Sequence, residues 1–147
     1  VAPAISRQLS SRRAVVVALV AYAAALAFVL LVPSGAVPSS GASWTADLAD
    51  RLGAPTWMVE PSRWEFVANA LMVTPVPALG SLLWPRLTWR DWTAYAFVAA
   101  GAVELAQGLF LPERSATFVD VVANTLGGLL GAVAVLVVRR LRRTPAA

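Results

Sequence analysis

The chain has no cysteine, no histidine and, since all its basic residues are arginine, no lysine. Without cysteine there is no disulfide and no thiol nucleophile, and without histidine as well nearly all zinc and haem ligation is excluded. Any catalysis would have to rest on carboxylates, hydroxyls or arginine, and neither a metal nor a cofactor is expected. Charge is also scarce. Only 14% of the 147 residues are charged, against 59% that are hydrophobic, and mean hydropathy is +0.69. A soluble domain needs more polar surface than this, so the composition points to a bilayer. The length suits one domain, residues 1–147. The 12 arginines, net charge +4, lie at the ends of apolar runs, which assigns them to membrane topology and not to nucleic acid.

Four apolar runs are present, at about residues 14–32, 66–84, 92–111 and 118–138. Each is long enough for a spanning helix, and in lipid only helices or closed barrels satisfy their backbone groups. The expected fold is therefore all-α, an integral membrane four-helix bundle. The first run, Ala14 to Val32, follows Arg12–Arg13 and resembles a twin-arginine signal. It is longer than a signal core, and three further spans follow, so it reads as an anchor. Nine arginines share one side if both termini are cytoplasmic, leaving only Arg51, Arg63 and Arg114 opposite. The loop 33–64 then lies outside. It opens with PSGAVPSSGAS, a flexible spacer by composition, and continues through Trp44, Leu48, Leu52 and Trp57, which suit a short amphipathic helix on the membrane surface.

The polar residues inside the spans follow a pattern. With that topology Asn69, Glu104, Gln107, Asp120 and Asn124 all fall within about 10–12 Å of the outer interface, on three different helices. Glu104 and Gln107 are spaced i, i+3. Asp120 and Asn124 are spaced i, i+4, and Gly127 and Gly131 continue their stripe as a G-x-x-x-G packing face. That face should look into the bundle. A carboxylate in the bilayer is costly unless partnered, and Arg114, in the link LPERSATF, is the expected partner of Glu104 or Asp120. Pro75 and Pro77 should kink or unwind the second helix, which would open space beneath the cluster.

These residues resemble the VanZ-like family, named for the teicoplanin-resistance protein. The match comprises NALMVTP, then ELAQGLFLPERSATFVDVVANTLGGLLG, within Trp64 to Arg139. The family pattern places its motif residues at Asn69, Pro75, Glu104, Gln107, Arg114, Asp120, Asn124, Thr125, Gly127 and Gly131. It usually has glycine where this chain has Pro77. The resemblance implies a small multi-pass protein of the bacterial cell membrane, linked in its founding member to low-level teicoplanin resistance, with no established reaction.

Three functions fit. The first is a non-enzymatic envelope protein whose outer-leaflet pocket, formed by Asn69, Glu104, Gln107, Arg114, Asp120 and Asn124, binds a membrane lipid or a lipoglycopeptide. The second is an intramembrane enzyme acting on an envelope lipid, with Glu104 and Asp120 as acid and base. Within the block that joins the third and fourth spans Thr125 is the only deep hydroxyl for that role, and no histidine or lysine could activate it. The third is a subunit of a homo-oligomer or larger membrane complex, packing through the glycine face.

Overall fold

The computed structural model describes residues 2–31, 36–55, 59–111 and 117–143, with side chains at 11–30, 43–55, 59–111 and 117–143. Trp57, Glu113 and Arg114 lie outside the described residues, so the expected reach of Arg114 to Glu104 or Asp120 lies outside them too. Among the described residues the regular structure is helical throughout. The six helices are α1 (Ala2–Leu31), α2 (Ala36–Arg51), α3 (Pro61–Val73), α4 (Pro75–Leu83), α5 (Trp89–Phe110) and α6 (Phe118–Arg143).

Among the described residues four segments are long and apolar enough to cross a membrane: Ser11–Leu30, Pro61–Leu83, Trp89–Phe110 and Phe118–Arg143. Their outward faces carry large apolar side chains such as Phe28, Leu71, Val98 and Leu109. A soluble protein could not display so many together, whereas hydrocarbon solvates them.

The helix ends follow local chemistry. The second span starts earlier than hydropathy suggests because Pro61, which needs no helical N–H partner, occupies the first turn after Glu60. The third starts at Trp89 because Thr88 and Asp91 form a capping box. The fourth runs on to Arg143, since arginines in a last turn complement the helix dipole. The break expected at the prolines lies at Thr74, between α3 and α4. Pro75 and Pro77 have no N–H to give the carbonyls of Leu71 and Val73. The carbonyl of Ala70 accepts twice from Thr74, from its hydroxyl at 2.8 Å and its amide at 3.2 Å.

The loop departs from the composition-based expectation. From Ala36 the supposed spacer is already helical and runs into the amphipathic segment as one helix, α2. It packs on α3, burying Ala46 and leaving Trp44, Leu48 and Leu52 exposed. The apolar edge thus faces outward, as a surface-lying helix requires.

The central helix is α6, which packs on α3, α4 and α5, while α1 lies on α4 and only sparsely on α5. Its buried face runs through Val121, Ala123, Asn124, Gly127, Gly128, Gly131 and Ala132. A Cβ on Gly127 would strike the carbonyl oxygen of Ala70, and one on Gly131 that of Thr74. The G-x-x-x-G face is therefore filled by this chain's own α3 and α4, on either side of Thr74.

Candidate functional site

The first turn of α6 gathers side chains from three spans. Asn69, on α3, donates through Nδ2 to Asp120 Oδ1 at 2.6 Å. Thr117, the residue before α6, donates its hydroxyl to Asp120 Oδ2 at 2.7 Å and accepts from the Asp120 amide at 3.2 Å. The Thr117 amide donates to Glu104 Oε2, on α5, at 2.8 Å. Both oxygens of Asp120 are thus occupied. One threonine links the carboxylates of Glu104 and Asp120, and α3, α5 and α6 are tied at one level. Hydrogen bonds between helices in a membrane contribute about 0.6 kcal/mol each and up to about 1.7 kcal/mol.

Thr117 was missed by a reading centred on charged and amide groups. Its signal was local: Thr117 to Asp120 reads T-F-V-D, a helix-start pattern in which residue four satisfies the cap. Here Glu104 supplies the acceptor for the cap amide from another helix.

The remaining sequence-derived candidates separate. Gln107 is buried and turns toward α1, donating through Nε2 to the carbonyl of Leu30 at 2.7 Å. It therefore fastens the end of α1 to α5. Thr125 donates to the carbonyl of Val121, one turn back on its own helix, at 2.6 Å, so its hydroxyl is engaged. Asn124, one turn below Asp120, is only 5% exposed, and its Oδ1 has no hydrogen-bond partner among the described residues. A buried polar atom left this way costs about 1–3 kcal/mol.

Asn124 lines a cavity of about 200 Å³ bounded by α1, the proline-containing second span and α5. Its other walls are apolar, among them Leu26, Leu30, Val76 and Ala99. Pro77 borders it too, so the interruption between α3 and α4 stands beside this cavity. On α5 the lining extends from Trp92 to Val103, about 16 Å of helix, giving a slot and not a sphere. Trp92 contributes a second orphan, Nε1, buried and also without a partner among the described residues. Its ring is fixed by Trp84 and Tyr95, at centroid distances of 6.2 and 6.1 Å, and lies where a Cβ on Gly80 would collide with it. Asn124 and Trp92 thus both line the slot, and each carries a buried polar atom without a partner among the described residues. No group of carboxylates able to hold a metal ion is found among the described residues.

A family model described as VanZ/LLP1 matches residues 19–139, which takes in α3 to α6 up to Arg139, the far part of α1 and the intervening α2. Comparison with curated proteins and with solved structures gives no significant match.

Proposed function

The chain belongs to the VanZ/LLP1 family, and on that premise we propose that it is a non-enzymatic protein of the bacterial cell membrane that holds an amphiphile, its tail in the slot and a polar group at Asn124. The observation that carries this reading is the orphaned Oδ1 of Asn124 in the wall of an otherwise apolar cavity. An apolar slot with few polar groups suits a chain-like ligand. A hydroxyl or amide on that ligand can give a hydrogen bond to Asn124, and a separate polar group on it can take one from Trp92. The amphiphile is a membrane lipid or a lipid-tailed glycopeptide, with both chain termini cytoplasmic and the bonds among Asn69, Asp120, Thr117 and Glu104 in the outer leaflet. Withdrawal of such a molecule from its site of action would account for the teicoplanin resistance that the family resemblance implies.

The engaged state of the polar groups favours this over the reading as an enzyme. Asp120 receives two side-chain donors, Glu104 holds a backbone amide, and Thr125 is bonded to its own helix. A nucleophile of this type needs an adjacent base, and none stands beside Thr125 in these bonds.

The test compares cells expressing wild type, Asn124→Leu and Ala99→Leu at matched membrane levels. Asn124→Leu removes the acceptor and Ala99→Leu narrows the slot. Wild type should raise tolerance to teicoplanin more than to a glycopeptide without a lipid tail, and both variants should lose that difference. Undiminished protection by both variants would rule out the slot.

A further inference from the structure

A second concavity, of about 340 Å³, lies at the other end of the spans, between the α4–α5 turn and the C-terminal half of α6. Its lining includes Arg86, Arg90, Arg139 and Arg140 and no carboxylate. Arg86 comes from the turn, Arg90 from the first turn of α5, and the other two from α6. Charge bias across a membrane explains why arginines collect at one end. It does not explain their convergence on one hollow, because the exposed Arg12 and Arg13 on α1 serve the same bias without lining it.

The hollow is also held in shape. Arg139 donates through Nη2 to the carbonyl of the buried Ser81 at 2.6 Å, a single bond for a guanidinium that has five N–H groups in a fixed fork. The Arg90 guanidinium carbon lies 5.2 Å from the centre of the Trp89 ring. Asp91, the carboxylate in that turn, is engaged in capping, with Oδ2 accepting from both the amide and the hydroxyl of Thr88. The floor is apolar, with Val135 and Leu136 among its residues.

We infer that this concavity binds the phosphate of an anionic phospholipid. Forked guanidinium donors suit phosphate oxygens. An apolar floor and a tryptophan at the end of a span suit the glycerol and first methylenes of a lipid, and basic pockets between membrane helices recognise such headgroups. A soluble phosphate would match the arginines but would leave the apolar floor unused.

The experiment uses purified protein in mixed micelles containing equal amounts of phosphatidylglycerol and phosphatidylcholine, with bound lipid counted by native mass spectrometry. Wild type should retain phosphatidylglycerol preferentially. The exposed pair Arg86→Gln/Arg90→Gln should lower that retention about tenfold or more. Arg12→Gln/Arg13→Gln, which removes the same charge elsewhere, should leave it unchanged, and Arg86→Lys/Arg90→Lys should restore part of it. Equal retention of the two lipids by wild type, or equal loss in the two Gln pairs, would overturn the proposal. So would displacement of the lipid by excess inorganic phosphate, which would make soluble phosphate the ligand.

Discussion

Two helices begin with the same pattern. Thr88-Trp89-Arg90-Asp91 opens α5 and Thr117-Phe118-Val119-Asp120 opens α6. At α5 the motif closes on itself, because Asp91 accepts from the Thr88 amide and the Thr88 hydroxyl accepts from the Asp91 amide. At α6 the hydroxyl half is the same, but the other half opens outward. The Thr117 amide goes to Glu104, and the second Asp120 oxygen, Oδ1, receives Asn69. The difference follows from burial. The α5 start is exposed, where water can complete any missing bond. The α6 start is partly buried among three spans, where an unmet group has no water to fall back on. One local motif thus becomes a cap in one place and a tertiary tie in the other.

The largest effect should come from prising α6 off the helix that supplies Asn69. Gly127→Ala or Gly131→Ala places a Cβ against a backbone carbonyl that cannot swing aside, and should cost about 1–3 kcal/mol or more. Gly101, whose added Cβ would meet nothing within 4 Å, is the control, and its change to Ala should stabilise by about 0.5–1 kcal/mol. Reversible unfolding in mixed micelles measures both.

Next comes the tie itself. Asp120→Ala strands Asn69 and Thr117 and should cost about 1–3 kcal/mol, whereas Asp91→Ala at the exposed start should cost about 1 kcal/mol, as loss of a cap does. A double-mutant cycle between Asn69→Ala and Asp120→Ala should give a coupling of about 0.6–1.7 kcal/mol. A coupling indistinguishable from zero would mean that the two starts do not differ in kind. Glu104→Gln keeps an oxygen that accepts from the Thr117 amide and should cost less than Glu104→Leu, which strands it.

The smallest effect belongs to Glu60, at the exposed start of α3. Hydrogen bonds from Ser62 and Arg63, and the charge of Arg63, hold its carboxyl below its ordinary value. A carboxyl lowered in the folded state adds stability above its unfolded-state pKa and loses it as pH falls through the folded one. Wild type and Glu60→Gln should therefore differ slightly at neutral pH and converge in acid, as pH-dependent unfolding would show.

Much of this was legible because membrane chains write their architecture in hydropathy. The spans came from apolar run length, and the inward face of α6 from Asn124, Gly127 and Gly131 at helical spacing. The level shared by Asn69, Glu104 and Asp120 came from counting residues to the interface. Partner choice was not legible, since it depends on sub-ångström placement. Gln107 shares a face with Glu104 yet bonds to α1, and Thr117, outside the expected set, bonds to both Glu104 and Asp120. The helix in the Pro- and Ser-rich start of α2 was also hidden, because propensity is a weak guide where packing on α3 contributes. The two orphaned atoms beside the slot could not be read from sequence, where every polar group is a potential partner of every other.

The central claim is that Asn124 is kept unpaired for a ligand, and thermal unfolding of wild type and Asn124→Leu, with and without a total lipid extract of the host membrane, tests it most directly. Without lipid, Asn124→Leu should be the more stable by about 1–2 kcal/mol, since it removes a buried orphan. With lipid at about a hundred times its dissociation constant, wild type should gain about 2.7 kcal/mol and the variant little. A variant less stable than wild type without lipid, and stabilised by it to the same extent, would contradict the account.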